Sequence, residues 1–202
     1  MITIFDLDYT LFDADRFKRK GLAKIFGISE SDFLAYYKGR FKDQGINYDP
    51  MIQLAEMRIS HEEKLSKVEQ LKLLLNNIND YLFPDAINVL DYYSNLSEKL
   101  VLATHGDSHW QKQKIRGLVV NNKPFEDYFN EIIFAENSKS ENNQLLKYVG
   151  EDISIINDNA KECLELKKLL GESVKVYLVE GPYSNNIEYR EKIWKLGELI
   201  GR

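Results

Sequence analysis

The sequence predicts an α/β fold, in which a doubly wound parallel sheet of about five strands carries an all-helical domain inserted after the first strand. Short runs rich in Ile and Val recur along the chain, and segments of helical periodicity separate most of them. This alternation is typical of a parallel sheet with helices on both faces. One long interval has helical periodicities alone, which indicates the insertion.

Five runs have the composition of strands buried on both faces, and polar or turn residues bound them. The predicted strands are residues 2–7, 100–104, 131–135, 153–157 and 174–179. Helices are predicted over residues 84–96, 108–119, 138–149 and 160–170. The first of these opens with Pro84 and Asp85, a favourable helix start. Near the C-terminus, Ile193, Leu196 and Ile200 predict one more amphipathic helix.

The interval from residue 15 to residue 83 contains no strand-like run. Apolar residues such as Leu65, Val68 and Leu71 recur there at three- to four-residue steps. Roughly 70 residues are too many for a single crossover helix. We therefore predict a core domain of residues 1–14 and 84–202, and a helical cap domain of residues 15–83.

Composition excludes several classes of function. The net charge of −5 and the sequence pI of about 5.4 argue against nucleic acid as the main partner. No apolar run approaches the roughly 18–20 residues of a membrane span, and no basic leader precedes the first apolar run. Cys163 is the single cysteine, so no intrachain disulfide can form. We expect a cytoplasmic protein without a membrane partner.

Polar residues follow four of the predicted strands. In open α/β sheets ligands bind beyond the carboxyl ends of the strands, so these residues are expected to meet at one edge. Two acids at the end of one buried strand are costly unless a cation or a substrate uses them. The residues are Asp6, Asp8 and Thr10 after the first strand, Thr104, His105 and Gly106 at the second, Lys139 after the third, and Asp158 with Glu162 after the fourth.

In this order the residues form four motifs, and with them the sequence resembles the haloacid dehalogenase superfamily of phosphotransferases. The resemblance covers almost the whole chain, and the inserted helical interval resembles the helical cap of that family. It implies a Rossmann-like core and a magnesium-dependent phosphatase that acts on a small phosphorylated metabolite. The matching positions are Asp6-x-Asp8-x-Thr10 for the first motif, Thr104 for the second, Lys139 for the third, and Asp158 with Glu162 for the fourth.

The chemistry of phosphoryl transfer asks for the same residue types. Asp6 would attack phosphorus to form an aspartyl-phosphate, and Asp8 would protonate the leaving oxygen and later deprotonate a water. Lys139 and the Thr104 hydroxyl would hold the phosphoryl oxygens. Magnesium prefers oxygen ligands, and the carboxylates of Asp6 and Asp158 with the Asp8 carbonyl would supply them. Thr10, His105 and Gly106 are predicted as further substrate-binding residues.

Several positions depart from the family pattern or leave alternatives open. Asn157 stands where the family usually has an acid or glycine, and Glu162 replaces the commoner aspartate, so a metal contact of Glu162 is open. His105 stands where asparagine is frequent, and it either touches the substrate or packs in a loop. Lys147 rivals Lys139 as the motif lysine, but Lys139 is preferred because it stands at a predicted helix start.

The predicted cap contains a cluster of basic residues. The cluster is either a solvent-exposed helix face or a surface that attracts an anionic substrate. The aromatic residues between Phe33 and Phe41 are expected to be cap core rather than a base-stacking platform. The basic cluster consists of Arg16, Lys18, Arg19 and Lys20.

Two other functions compete with the phosphatase. A phosphomutase on the same scaffold would return the phosphate to the substrate. A non-catalytic protein that binds a metal or a phosphorylated metabolite is motivated by Asn157 and His105. Asp8 argues against haloacid dehalogenation, which needs no acid beside the first aspartate. A monomer or a small homo-oligomer is expected.

Overall fold

The computed structural model describes residues 1–96, 99–185 and 193–201. Its contacts divide the chain into two compact units. The first comprises Met1–Asp13, Leu82–His105 and the described residues of Glu126–Arg202, and the second comprises Ala14–Tyr81 and Gly106–Phe125. No helix of the described chain is long and apolar enough to cross a membrane.

The strands are short. In chain order they are β1 (Ile2–Phe5), β2 (Lys99–His105), β3 (Val119–Val120), β4 (Lys123–Pro124), β5 (Glu131–Ala135), β6 (Ile153–Asn157), β7 (Lys175–Val179) and β8 (Ile193–Trp194). Six of them form one parallel sheet in the order β5-β2-β1-β6-β7-β8, while β3 and β4 form a separate antiparallel pair. The predicted parallel α/β fold is confirmed, and the described residues form six strands of the sheet rather than about five.

The α-helices lie mostly in the second unit. In chain order they are α1 (Ala14–Arg16), α2 (Ala23–Phe26), α3 (Glu30–Arg40), α4 (Pro50–Glu56), α5 (His61–Asn76), α6 (Ala86–Asn95), α7 (Ser108–Gly117) and α8 (Ala160–Leu170). A π-helix, Phe17–Leu22, joins α1 to α2. The 3-10 helices are Lys42–Gln44, Ile78–Tyr81, Phe125–Tyr128, Lys139–Glu141, Leu146–Tyr148 and Leu196–Leu199.

Strand β1 is buried on both faces of the sheet, as its apolar composition predicts. Ile4 belongs to a buried cluster that includes Cys163 and Leu166 of α8. The next residue, Phe5, points to the opposite face and makes an edge-on ring contact with Tyr93 of α6, with ring centroids 5.6 Å apart. Helices therefore cover both faces, which is the doubly wound arrangement.

The spatial order places β1 between β2 and β6. Phe5 lies opposite Leu102 of β2 and Ile156 of β6, and the chain builds one side of the sheet before the other. The carboxyl end of β1 is thus the topological switch point, where open α/β sheets bind ligands. Asp6 is the first residue beyond this end, and its backbone N–H donates to the Ile156 carbonyl at 2.9 Å.

Residues 106–125, which the predicted boundaries assign to the core domain, pack with the helical interval. The Asn79 side chain donates to the Val119 carbonyl at 2.6 Å and accepts from the Val119 N–H at 2.8 Å. At Gly117 an added Cβ would lie 2.4 Å from the Leu75 carbonyl oxygen, so α7 approaches α5 closely. No periodicity in the sequence predicts these contacts. The domain boundaries themselves stay a prediction.

Two predicted helices are wrong. Residues 138–149 form the two 3-10 helices Lys139–Glu141 and Leu146–Tyr148 instead. The Asn142 side chain accepts from the Gln144 N–H at 2.9 Å and donates to the Phe134 carbonyl at 3.1 Å. Such side-chain bonds to the backbone compete with a continuous helix.

The predicted C-terminal helix is replaced by strand β8 and the 3-10 helix Leu196–Leu199. Strand β8 pairs with β7, and the Glu180 N–H donates to the Trp194 carbonyl at 2.7 Å. Pairing with the edge of β7 therefore decides the local structure here, although Ile193, Leu196 and Ile200 have helical spacing.

In the second unit, Phe33 and Phe41 are buried against Tyr48, with ring centroids 6.1 and 5.0 Å from it. Both aromatic residues are therefore core, as expected. Members of the basic cluster have partners within this unit. Arg16 donates to the Asp80 carbonyl at 2.8 Å, Arg19 pairs with Asp15, Lys20 pairs with Glu30, and Lys18 lies over the Tyr37 ring.

Candidate active site

The chain leaves the sheet immediately after β1. The predicted strand over residues 2–7 ends at Phe5, because the Leu7 carbonyl accepts from the N–H groups of Leu11 and Phe12, both at 2.9 Å. Tyr9 has a φ of 66°, which the tight turn requires. Asp6 therefore stays at the sheet edge, and Asp8, two residues further on, forms an isolated β-bridge with Phe12 where the turn begins.

The Asp6 carboxylate is buried, with 8% of the residue exposed, and is held by two donors. Its Oδ1 accepts from Lys139 Nζ at 2.5 Å, and its Oδ2 accepts from Thr10 Oγ1 at 3.3 Å. Burial raises the pKa of Asp6 to about 6, although Lys139 opposes the rise. Burial alone would lower the pKa of Lys139, but the charges of Asp6 and Glu162 raise it, so the ammonium stays charged.

The structure brings Asp158 to the same edge. Its backbone N–H donates to Thr10 Oγ1 at 3.1 Å, so the Thr10 hydroxyl joins Asp6 to Asp158. The Asp158 Oδ2 atom is buried and has no hydrogen-bond partner among the described residues. Burial, followed by the nearby Asp6 charge, raises the pKa of Asp158 to about 8. A buried carboxylate oxygen left in this state favours a bound cation.

Glu162 is occupied by other partners. Its Oε2 accepts from Lys139 Nζ at 2.7 Å and from Asn157 Nδ2 at 2.6 Å. Burial would raise the pKa of Glu162, but the ammonium and these hydrogen bonds lower it. Glu162 is thus an ionised carboxylate whose visible contacts are to a lysine and an amide.

Strand β2 ends in a buried hydroxyl. Thr104 is 1% exposed, and its Oγ1 has no hydrogen-bond partner in the described part of the chain. An unsatisfied buried hydroxyl at a sheet edge is able to bind an anion oxygen. His105 is exposed at the end of β2. Partial desolvation lowers the pKa of its imidazole, although a hydrogen bond to the Glu136 backbone opposes the change. Gly106 has a φ of +131° and belongs to the second unit.

The structure separates the two rival lysines. Lys139 is 2% exposed and contacts Asp6. Lys147 forms an ion pair with Glu131, and its side chain is 47% exposed. The lysine at the sheet edge is therefore Lys139, although it lies on a 3-10 helix rather than at the start of the predicted α-helix.

The donors fit magnesium better than a transition metal. Among the described residues, no group of three or more His, Cys, Asp or Glu side chains is arranged to hold a metal ion. Asp6 and Asp158 nonetheless offer carboxylate oxygens, and the Oδ2 atom of Asp158 has no hydrogen-bond partner in the part of the chain that the structure describes. The third predicted ligand, the Asp8 carbonyl, is a backbone group. Mg²⁺ keeps several of its water ligands, so a site with only a few protein ligands, all of them oxygen atoms, suits this ion.

His105, Asp107 and His109 alternate along the sequence and have side chains that can bind a transition metal, but two of them make local hydrogen bonds instead. Asp107 caps α7 by accepting from the Trp110 N–H at 2.7 Å. His109 bonds to Gln113, one turn along α7, at 2.8 Å. Because these bonds serve helix α7, the spacing does not indicate a transition-metal site.

Two residues beside the site are not identified by sequence reasoning. In the sequence, Asn157 is notable only because it stands where the family pattern has an acid or a glycine. The hydrogen bond that it donates to Glu162 is seen only in the structure. Gly181 carries no signal at all, because it follows β7 and no motif marks it. A Cβ on Gly181 would lie 2.7 Å from Asp158 Cβ and from Asp158 Oδ2, so only glycine fits beside that carboxylate.

We expect Gly181→Ala to displace the Asp158 carboxylate and to destabilise the protein by about 1–3 kcal/mol, the usual cost of overpacking. Equilibrium unfolding in urea measures the change. Gly39→Ala is the matched control, because no atom of the described residues lies within 4 Å of its added Cβ and helix α3 favours alanine. Equal stability of Gly181→Ala and the native protein would contradict the close approach.

Sequence comparisons identify no relative: no family model matches the chain, and no curated protein matches it. The fold does have counterparts of known structure. A protein of Burkholderia xenovorans LB400 assigned to the haloacid dehalogenase-like hydrolases is similar to it with a TM-score of 0.70 at 16% identity, over 98% of this chain and 94% of that one.

Two further structures show the same likeness. CbbY from Rhodobacter sphaeroides, in complex with xylulose-1,5-bisphosphate, has a TM-score of 0.64 at 14% identity, over 98% and 95% of the two chains. A dehalogenase with an intermediate complex has a TM-score of 0.62 at 11% identity, over 98% and 94%. The chain therefore has the haloacid dehalogenase-like fold. At these identities the likeness establishes the fold and not the reaction.

Proposed function

We propose that the protein is a magnesium-dependent phosphatase that hydrolyses a small phosphorylated metabolite through an aspartyl-phosphate on Asp6. The observation that carries the proposal is the placement of Asp6 at the switch point, with Lys139 Nζ 2.5 Å from one oxygen and Thr10 linking the other to Asp158. A nucleophile, a cation and a second carboxylate are the parts that phosphoryl transfer needs.

In the proposed reaction an Asp6 oxygen attacks phosphorus, and the bond from phosphorus to the leaving oxygen breaks as Asp8 donates a proton to that oxygen. A water then attacks the phosphoryl group and gives its proton to Asp8, which releases phosphate and restores Asp6. Lys139 holds charge beside the phosphoryl oxygens, and the unsatisfied Thr104 hydroxyl donates to one of them. Bound Mg²⁺ would screen the repulsion between Asp6 and the phosphate.

Asp6, Asp158 and the Asp8 carbonyl would hold the ion. Asp8 also favours this reaction over dehalogenation, which needs no acid at that position. Thr10 is proposed to orient Asp6, while His105 and Gly106 remain predicted substrate contacts. The CbbY complex contains a sugar bisphosphate, which supports a small phosphorylated substrate for the shared fold. A cytoplasmic monomer or small homo-oligomer stays the expectation.

A screen of phosphomonoesters tests the proposal. Sugar phosphates, phosphorylated hydroxy acids, nucleotides and p-nitrophenyl phosphate are incubated with the protein in Mg²⁺ or in EDTA, and released phosphate is measured. We expect turnover in Mg²⁺ alone and a loss of at least about a thousandfold in Asp6→Asn, which removes the nucleophile.

Three outcomes would contradict parts of the proposal. Undiminished turnover in Asp6→Asn excludes Asp6 as the nucleophile. Conversion of a sugar phosphate to its isomer without phosphate release identifies a phosphomutase. Normal Mg²⁺ binding by calorimetry, with no turnover of any ester, identifies a binding protein.

A further inference from the structure

Asn157 ends strand β6 with a buried side chain that the proposed reaction does not use. The residue is 1% exposed, and both ends of its amide have partners. Its Nδ2 donates to Glu162 Oε2 at 2.6 Å, and its Oδ1 accepts from the Asn159 N–H at 2.9 Å. The amide is therefore fixed in one orientation.

Glu162 links this amide to Lys139. One carboxylate oxygen, Oε2, accepts both from Asn157 Nδ2 and from Lys139 Nζ at 2.7 Å. The Glu162 backbone is fixed as well, because its N–H donates to Asn159 Oδ1 at 3.2 Å at the start of α8. The chain of bonds runs from Asn157 through Glu162 to Lys139, and from Lys139 to Asp6.

An amide suits this position better than the acid that the family pattern favours there. It donates to one partner and accepts from the other, whereas a carboxylate can only accept. An aspartate at position 157 would keep the bond to the Asn159 N–H but would face Glu162 with a like charge. The two carboxylates would repel, and Glu162 would be pushed away from Lys139.

We propose that Asn157 is a positioning residue, which acts through Glu162 to hold the Lys139 ammonium against Asp6. Glu162 in this chain then serves the lysine and is not a metal ligand. The inference deepens the proposed function and rests on it, since the place of Lys139 matters to turnover only if Asp6 is the nucleophile.

The first test is independent of turnover. The unfolding equilibrium constants of Asn157→Ala, Lys139→Met and the double variant are measured in urea, once with Glu162 present and once in Glu162→Leu, which has no acceptor for either donor. With Glu162 present, we expect the two substitutions together to change the unfolding constant roughly tenfold less than the product of their separate effects, about 1.4 kcal/mol. In Glu162→Leu the separate effects should multiply. Independence in both backgrounds, or the same coupling in both, would overturn the proposal.

The second test separates the lysine from the metal. Asn157→Asp keeps the size of the side chain, and we expect it to lower kcat roughly tenfold or more. By calorimetry of the substrate-free protein, Asp158→Asn should weaken Mg²⁺ binding roughly tenfold, whereas Glu162→Gln should change it less than about threefold. Equal losses of affinity in these two variants would make Glu162 a metal ligand and overturn the proposal.

Ser140→Ala is the matched control. Ser140 follows Lys139 on the 3-10 helix Lys139–Glu141. Its Oγ donates to Glu165 Oε2 of α8 at 3.2 Å, a bond that does not involve the Lys139 ammonium. Its kcat should equal that of the native protein, and a loss like that of Asn157→Asp would assign the effect to looser packing instead. A native protein that binds Mg²⁺ but turns over no ester contradicts the proposed function, while the unfolding test still decides the role of Asn157.

Discussion

Lys139→Met is expected to abolish turnover and to lower the free energy of unfolding by about 3–5 kcal/mol near pH 8, the usual result of removing one partner of a buried ion pair. The ammonium lies between Asp6 and Glu162, at 2.5 and 2.7 Å, and all three side chains are nearly inaccessible to water. Methionine fills much of the same volume but leaves two carboxylates without their cation. Urea unfolding and a phosphate-release assay measure the two effects.

Lys147→Met is the matched control for this prediction. Lys147 also pairs with a glutamate, Glu131, but its side chain is 47% exposed. Solvent screens such pairs, so the cost should stay below about 1 kcal/mol, and turnover should be retained. If Lys147→Met were as inactive as Lys139→Met, the assignment of the motif lysine would be wrong.

The stability of the metal-free protein is expected to fall as pH rises from about 4 to about 8. Folding raises the pKa of Asp158 from its ordinary value of 3.8 to about 8, and that of Asp6 to about 6. Between the ordinary and the raised pKa, the folded state binds more protons than the unfolded state, so stability declines with pH through this window. Below about pH 4 both groups make their full contribution to the free energy of unfolding.

Thermal unfolding in EDTA across this pH range measures the effect. Asp158→Asn cannot titrate, so its profile should be flatter than that of the native protein. Added Mg²⁺ should stabilise the native protein most at the alkaline end, where both carboxylates are ionised. A native profile that rises steadily to pH 9 in EDTA would contradict the raised pKa of Asp158.

Most of the sheet could be predicted from the sequence because its strands are buried on both faces. Residues 131–135 and 153–157 have the predicted bounds, since short apolar runs between turn residues are typical of buried parallel strands. The short edge strand β8 could not be predicted. It consists of Ile193 and Trp194 alone, and two residues are too few to show a strand pattern. They form a strand because they pair with β7.

The sequence is enough to predict which residues form the candidate site, but not how their side chains are arranged. Motif order and strand ends were enough to bring Asp6, Lys139 and Asp158 together. The end of the first strand could not be predicted: β1 stops at Phe5, two residues short of the predicted strand, because the backbone turns back onto the Leu7 carbonyl. The contact between Gly181 and Asp158 depends on how β7 and β6 end side by side, and no local pattern encodes it.

Detection of the covalent intermediate tests the central claim most directly. The protein is mixed with Mg²⁺ and its best substrate, quenched in acid within one turnover, and reduced with borohydride, which converts an aspartyl-phosphate to homoserine. Peptide mass spectrometry should find homoserine at position 6, and none at Asp8 or Asp158. Full turnover with no modification of Asp6 under these conditions, or modification at another carboxylate, would contradict the assignment of Asp6 as the nucleophile.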